Sequence, residues 1–254
     1  MSTINSLIKR SQAKVFRRAY LKRRANTTTG SYESSWQDIT QYVKRWGTIK
    51  YEMEDELIGN FKLSGINLTL RNDEGKFNAK SDGASIWNGY VSEYKTKFKI
   101  EAGYIDDDST ELPTNPALFY GVLTDDITIN SKNEANFKVQ SLMSVFDDVS
   151  ATRLALTASE TASGIVTKIK DLVDANAINI FGLYFSATAW DIQTTTNVLT
   201  QFNTSTNYDM TCWKLISKLA QLEGFMPWVD PQCIFHFTDK DTLTTTAEIN
   251  FSGL

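Results

Sequence analysis

The sequence has few of the cysteines and histidines from which zinc sites and many catalytic centres are built. Its 254 residues include two cysteines, Cys212 and Cys233, and one histidine, His236. One cysteine pair cannot form a disulfide framework, and neither cysteine lies in a CxxC motif. A standard zinc site would have to recruit distant carboxylates. We therefore interpret both cysteines as small buried residues, and His236, inside the apolar run Ile234–Phe237, as a structural or solvent-facing residue.

Long apolar runs and nucleotide-binding or hydrolase motifs are also missing. No run approaches the roughly 18 apolar residues that a bilayer-spanning helix needs. Met1–Leu7 lacks the apolar core of a signal peptide, so we expect synthesis in the cytoplasm, no export by the usual secretory route and no membrane partner in the resting state. The chain has no P-loop, GxGxxG or GxSxG motif, and no motif pairs Ser141 or Ser159 with a histidine.

Acidic clusters and tryptophans are the remaining candidates for chemistry. The acidic clusters are Asp106–Asp108, Asp125–Asp126 and Asp147–Asp148. Hard cations prefer such oxygen ligands, but the EF-hand spacing is absent, so we interpret the clusters as solvated turns. A glycosidase-type carboxylate pair stays open, because two acids at the right separation would suffice. We predict no catalytic, cofactor-binding or metal-binding residue.

Six tryptophans raise the alternative of a carbohydrate-binding surface. Four of them lie beside apolar runs, where core or interface packing explains them equally well. These four are Trp46, Trp87, Trp213 and Trp228. Trp87 and Trp228 are the residues that a sugar-binding hypothesis would use.

The charges are distributed unevenly along the chain. Residues 1–32 hold eight basic residues and no acidic one, whereas the chain from Glu33 onwards has a net charge of −12. A basic arm on an acidic body indicates an electrostatic partner for the arm. Nucleic acid would be one partner, but no recognisable nucleic-acid-binding module is present. We favour assembly with a neighbouring acidic copy, or plain solvation.

The first part of the chain alternates apolar and polar residues in the manner of antiparallel β-strands. The stretch Trp36–Phe77 shows this most clearly, with a phase slip at Ser64-Gly65 that predicts a β-bulge and a turn at Asn72–Gly75. Residues 14–23 fit a helix or an edge strand, and we favour a strand that forms a hairpin with Trp36–Trp46. Further strands are predicted at residues 61–70, 94–101, 118–123, 127–129 and 135–142. Together they predict a barrel or sandwich over residues 12–145.

The second part reads as mixed α and β. A helix is predicted over residues 159–174, capped by Ser159 or Thr161, and another over residues 209–223, capped by Asp209 or Thr211 and stopped by Gly224. A hairpin follows at residues 225–237, and strand-like fragments lie at 178–185, 198–202 and 243–251. We therefore predict two domains, residues 1–148 and 149–254.

Several stretches, taken in order, resemble the N-terminal part of the tail-tip hub proteins of tailed bacteriophages. They are FRRAYLKRR, WQDITQYVKRWGTIKYEMEDE, FKLSGINLTLRNDEGKFN, FKIEAGY, LFYGVLTDD, ANFKVQSLMSVFDD and, further on, CWKLISKLAQLEGFMPWVDPQCIFHF. The resemblance implies a mainly β fold with an α+β insertion: a tail-tube-like antiparallel β-barrel or sandwich followed by a mixed α/β region. The chain departs from the family pattern in its pronounced basic arm and in its length, since many family members are longer.

What the resemblance implies for function is a structural subunit without catalysis. Such a subunit forms a ring, typically a homotrimer, that closes the tail tube and carries the central fibre or spike. Its partners would be further copies, a tail-tube or distal tail protein and the fibre or spike protein, with nucleic acid passing only transiently through the lumen, if at all. The expected location is the virion tail tip. The alternatives are a hexameric distal tail adaptor, a carbohydrate- or receptor-binding module, and a cell-wall hydrolase.

Overall fold

The computed structural model describes most of the chain in fourteen stretches. These are residues 14–24, 32–49, 65–79, 82–90, 96–105, 109, 111–112, 117–124, 127–147, 149–157, 159–174, 190–199, 210–229 and 234–239. They fall into two compact units, the first within residues 14–49 and 65–141 and the second within residues 142–239. The domain boundary predicted at residue 148 stays a prediction.

Several predicted features lie outside the described residues. They are Phe61–Ser64 of the strand predicted at 61–70, the clusters Asp106–Asp108 and Asp125–Asp126, Asp148, Cys233 and the strands at 178–185 and 243–251.

The first unit is built on one large curled antiparallel sheet, which confirms the mainly β prediction. Its strands are β1 (Lys14–Lys22), β2 (Gln37–Asp38), β3 (Val43–Arg45), β4 (Gly65–Arg71), β5 (Lys97–Ile105), β6 (Glu111–Leu112), β7 (Ala117–Leu123), β8 (Thr128–Ile129) and β9 (Glu134–Ser141). The order across the sheet is β2-β1-β5-β7-β9-β4-β3, with β6 beside β5 and β8 beside β9. The predicted strands at 14–23, 94–101, 118–123, 127–129 and 135–142 correspond to β1, β5, β7, β8 and β9.

Alternate residues of these strands form the core of the first unit. The buried apolar side chains include Ala19, Leu21, Ile66, Leu68, Leu70, Phe98, Ile100, Phe119, Phe137 and Val139. Phe77 and Trp87, from the segment between β4 and β5, pack against this face, and their ring centroids lie 5.4 and 5.9 Å from that of Phe137. Burial of this apolar face is the main stabilising contribution to the sheet.

The segment Trp36–Trp46 is not the continuous return strand that its alternation predicts. Of this segment, only β2 pairs with β1. The chain then turns through a 3-10 helix at Thr40–Tyr42 and enters β3, which pairs with β4 at the opposite end of the sheet. The turn begins where the Asp38 carboxylate accepts a hydrogen bond from Thr40 N–H at 2.8 Å. Ile39, buried beside it, anchors the crossing to the core.

The predicted turn at Asn72–Gly75 is confirmed, whereas the bulge predicted at Ser64-Gly65 lies partly outside the described residues and stays a prediction. Gly75 has φ of +68°, and its N–H donates to the carbonyl oxygen of Asn72 at 3.0 Å. The β4–β9 ladder runs in regular register from its first residue, Gly65. A Cβ at Gly65 would lie 2.9 Å from the Val139 carbonyl oxygen, so close strand approach, rather than a bulge within β4, explains this glycine.

The second unit combines two helices with two small sheets. Its elements are β10 (Glu160–Thr161), α1 (Ala162–Asp174), β11 (Trp190–Ile192), β12 (Val198–Leu199), α2 (Cys212–Glu223), β13 (Phe225–Val229) and β14 (Phe235–Asp239). Both helices were predicted, and Thr161 and Thr211 supply the caps by accepting hydrogen bonds from the N–H groups of Gly164 and Lys214. Gly224 ends α2 with φ of +72°.

The predicted hairpin of β13 and β14 is confirmed, and the structure adds a strand to it. β11 pairs in parallel with β14, and β10 pairs separately with β12. Phe146, Trp190 and Phe235 pack together beside this sheet, with ring centroids 5.2 to 5.9 Å apart.

Candidate assembly surface

The outer face of β1, β5 and β7 carries charged and aromatic side chains in matched positions. In the β1–β5 register, Arg18 lies opposite Glu101, Tyr20 opposite Lys99 and Lys22 opposite Lys97. Tyr120 of β7 lies opposite Lys99, and Trp36, just before β2, covers the same region. We call this surface, formed by Arg18, Tyr20, Lys22, Trp36, Lys97, Lys99, Glu101 and Tyr120, the cation–aromatic face.

Each lysine of the cation–aromatic face lies against an aromatic ring. The Lys99 ammonium is 4.5 Å from the Tyr20 ring centroid and 5.3 Å from that of Trp36, and it is 2.5 Å from a carboxylate oxygen of Glu101. Lys22 approaches the Trp36 ring as well, at 5.4 Å. The quadrupole of an aromatic ring attracts such cations, so these contacts order long side chains on a half-buried surface.

Arg18 binds two carboxylates at one end of the face. Its guanidinium donates to both carboxylate oxygens of Glu111, one of them at 2.8 Å, and lies 3.9 Å from Glu101. These hydrogen bonds lower the pKa of the Glu111 carboxyl and raise that of the Arg18 guanidinium. Burial, followed by the nearby Glu101 charge, raises the pKa of the Tyr20 hydroxyl. The charged groups of this surface therefore bind one another and are held in fixed positions.

A second ion pair fixes the end of β1 to the segment before β5. The Arg23 Nε donates to Glu33 at 2.9 Å, the Tyr90 hydroxyl donates to the other Glu33 oxygen at 2.9 Å, and the guanidinium carbon lies 3.9 Å from the Tyr90 ring centroid. Burial acts to raise the pKa of Glu33, but the hydrogen bonds from Arg23 and Tyr90 outweigh it and lower the pKa. This contact stabilises the structure and leaves no reactive group exposed.

Three residues that were considered for chemistry, His236, Cys212 and Asp147, are either buried or bound to a neighbouring side chain. His236 Nδ1 is 2.8 Å from Asp191, and its ring stacks on Trp228 with centroids 4.3 Å apart. Cys212 is buried, which raises the pKa of its thiol to about 12. Asp147 accepts a hydrogen bond from the Thr211 hydroxyl at 2.7 Å.

The tryptophans proposed for sugar binding occupy different environments. Trp87 is fully buried, and its indole N–H donates to Thr96 Oγ1 at 3.2 Å, so its ring cannot stack on a ligand. One face of Trp228 is covered by His236. Trp213 is buried, and Trp46 packs against the core of the first unit.

The described residues hold no group of three or more His, Cys, Asp or Glu side chains placed to bind a metal ion. Among the same residues, no helix has the length and apolar character needed to cross a membrane. The surface that the structure does assemble is the cation–aromatic face, which the sequence analysis did not identify. Its sequence signal is the polar phase of the two strands, Arg18, Tyr20 and Lys22 in β1 and Lys97, Lys99 and Glu101 in β5, but the pairing register is needed to bring the groups together.

The fold is that of a mainly β protein with an added α+β unit. No protein-family model matches the chain, and no curated protein matches its sequence. Among solved structures, the chain is similar to a tail protein from Neisseria meningitidis, with 11% identity and a TM-score of 0.45 over 86% of this chain and 50% of that one. It is similar to a 43 kDa tail protein of prophage MuSo2 from Shewanella oneidensis, with 12% identity and a TM-score of 0.42 over 88% of this chain and 56% of that one.

A chain of the Francisella PdpA–VgrG complex is also similar, with 13% identity and a TM-score of 0.45 over 96% of this chain and 36% of that one. The chain spans about half the length of the two tail proteins. Two of these structures are tail proteins, but TM-scores below 0.5 do not establish a common fold.

Proposed function

We propose that this chain is a structural subunit of a phage tail-tip hub. It forms a ring, typically of three copies, that closes the tail tube and carries the central fibre or spike. The observation that carries this proposal is the position of the sequence stretches that resemble the hub family. The six stretches between Phe16 and Asp148 supply β1, β2, β3, β4, β5, β7 and β9 of one continuous sheet, together with the Asn72–Gly75 turn.

The proposal assigns no catalysis to the chain. It is supported by the state of the candidate groups: the Cys212 thiol is buried, and His236 is engaged by Asp191 and Trp228. Zymography on peptidoglycan tests the hydrolase alternative directly. A clearing zone that co-migrates with the purified chain would overturn the assignment.

The proposed partners follow from a position at the tail tip. They are further copies of the chain, a tail-tube or distal tail protein and a fibre or spike protein, and the proposed location is the virion. Immunogold labelling of intact particles with an antibody against this chain tests the location. We expect gold at the tip of the tail, whereas label along the shaft, on the capsid or nowhere on the particle would contradict the proposal.

The distal tail adaptor differs from the hub in copy number. Quantitative mass spectrometry of purified particles, with the capsid protein as an internal standard, measures that number. Three copies in each tail support the hub, whereas six favour the adaptor.

The carbohydrate-binding alternative is weakened by the burial of Trp87 and now rests on Trp228. Glycan-array binding that disappears in Trp228→Ala would support this alternative. A blank array with the folded protein would argue against it.

A further inference from the structure

Among the residues that the structure describes, half of β1 has a partner strand on one side only. β5 pairs with β1 along its whole length, from Lys14 to Lys22. On the other side, β2 pairs only with Tyr20 and Leu21. Within the part of the chain that the structure describes, Lys14–Arg18 therefore presents a sheet edge, which we call the open edge of β1. Unpaired edges are templates for pairing with another strand.

Hydrogen bonds further along β1 show which backbone groups point to this edge. The Ala19 N–H donates to Thr40 Oγ1 at 3.0 Å, and the Ala19 carbonyl accepts from Ile39 N–H at 2.9 Å. Because alternate residues of a strand direct their backbone groups to the same side, Val15 and Arg17 also direct theirs to that side. The open edge thus offers the N–H and C=O groups of two residues.

The side chains along the open edge are exposed and basic. Val15 is 65% exposed, a large value for an aliphatic side chain in a strand, and Lys14 and Arg17 are exposed beside it. No acidic residue occurs before Glu33. The edge therefore fits an extended partner segment that places an acidic residue opposite Arg17 and an apolar residue opposite Val15.

The charge of the edge decides how two copies can meet. Pairing of β1 with β1 across a two-fold axis would bring Lys14 and Arg17 of the two copies close together, which is unfavourable. The chain from Glu33 onwards, however, has a net charge of −12.

We infer that the open edge of β1 binds an acidic extended segment of a second copy in a head-to-tail contact. A contact between two different surfaces of the same chain generates a ring when the rotation closes, whereas a two-fold contact stops at a dimer. This inference rests on the proposed ring-forming function and names the surface by which neighbouring copies associate. The interaction is partly electrostatic, so it weakens as ionic strength rises.

Zero-length cross-linking between isotopically distinct copies tests the contact. A mixture of unlabelled and ¹⁵N-labelled full-length chains is treated with a carbodiimide, which joins an amine to a carboxylate. Peptides are then identified by mass spectrometry. We expect mixed-isotope peptides that join Lys14 to an Asp or Glu beyond Glu33, and fewer of them at high salt. Cross-links of Lys14 that never mix isotopes would overturn the inference.

Two variants of the open edge and one control distinguish the contribution of the edge to self-association from a general effect of charge. Val15→Pro removes the N–H that points to the open edge and leaves the β1–β5 hydrogen bonds intact. Arg17→Glu reverses the edge charge, and Lys132→Glu makes the same charge change at an exposed residue of the β8–β9 turn. We expect Val15→Pro and Arg17→Glu to weaken self-association by roughly tenfold or more, and Lys132→Glu to leave it unchanged.

Light scattering measures the oligomeric state of each variant, and circular dichroism tests whether it is folded. Folded Val15→Pro and Arg17→Glu proteins that still assemble as the wild type does would overturn the edge inference while leaving the hub proposal standing. A wild-type chain that stays monomeric at high concentration and low salt overturns the edge inference and counts against the ring. Gold label away from the tail tip contradicts the hub alone.

Discussion

Lys22 of β1 and Lys97 of β5 lie directly opposite each other, and each ammonium group lies over a different aromatic ring. Lys22 is 5.4 Å from the Trp36 ring centroid, and Lys97 is 4.7 Å from that of Tyr32. Like charges at directly opposed positions destabilise a sheet. Here the two side chains diverge towards separate rings, so the cation–aromatic face tolerates a pair that would otherwise weaken it.

Replacement of Trp36 by leucine tests this account. The Trp36 ring faces Lys22 and Lys99 and contacts Tyr120 at 5.9 Å. We expect Trp36→Leu to lower the free energy of unfolding by about 1–2 kcal/mol, because two cation–π contacts and an aromatic pair are lost. Urea denaturation of the wild type and variant measures the change. Trp36→Phe, which keeps an aromatic face, should lose less, and equal losses in both variants would refute the role of the ring.

Glu134 makes part of the stability pH-dependent. Lys44, Asn130 and Arg45 surround its carboxylate, and the hydrogen bonds from Lys44 and Asn130 lower its pKa from 4.5 to about 2. Since the folded pKa lies below the unfolded one, the contribution is present above about pH 4.5 and is lost as the pH falls towards 2. Near neutral pH, we expect the wild type to have a higher melting temperature than Glu134→Gln. The two melting temperatures should converge at acid pH. A gap that is independent of pH would contradict this.

Asn72 holds the segment after β4 through both ends of its amide. Its Oδ1 accepts from Phe77 N–H at 2.6 Å, and its Nδ2 donates to Asn78 Oδ1 at 2.8 Å, while the residue is fully buried. Asn72→Asp keeps the shape but replaces the donor by an oxygen facing another oxygen. We expect a loss of about 1–3 kcal/mol in unfolding free energy.

The Asn72→Asp loss should shrink at low pH, where the new carboxyl can be protonated and donate. Asn88→Asp, at an exposed position of the same segment, is a matched control and should change stability little. Urea titrations at neutral and acid pH give both numbers. A fully stable Asn72→Asp protein would show that the amide donor is dispensable.

Cys212 should be unreactive in the native protein. Burial raises the pKa of its thiol to about 12, so almost none of it is thiolate at neutral pH. We expect iodoacetamide to leave the Cys212 peptide unmodified in the native state and to modify it fully in urea. Peptide mapping by mass spectrometry distinguishes it from Cys233. Rapid native labelling would contradict the packing of α2.

Much of the fold was predictable because short-range sequence patterns determine many of its strands, helices and caps. The alternation in β5 and β9, the caps Thr161 and Thr211 and the stop at Gly224 each act over a few residues. Trp36–Trp46 was misread because alternation continues through the 3-10 turn, and only the pairing of β3 with distant β4 reveals the crossing. The parallel strand β11 is three residues long and gains its partner from β14, far along the chain.

The cation–aromatic face could not be derived for a related reason. Its basic and aromatic residues were visible in the sequence, but their contacts depend on which residue of β1 lies opposite which residue of β5. A shift of one position would move every side chain to the other face. The open edge of β1 depends likewise on the short length of β2, which no residue pattern specifies.

The pairing of β1 with β5, two strands far apart in the sequence, delays the completion of this ladder during protein synthesis. About 75 residues separate Lys22 from Lys97, its partner in the ladder. At roughly 5–20 residues per second, β1 leaves the ribosome several seconds before the strand that will cover it exists. Like charges repel, so the lysines and arginines of β1 disfavour pairing of this strand with the β1 of another unfinished copy.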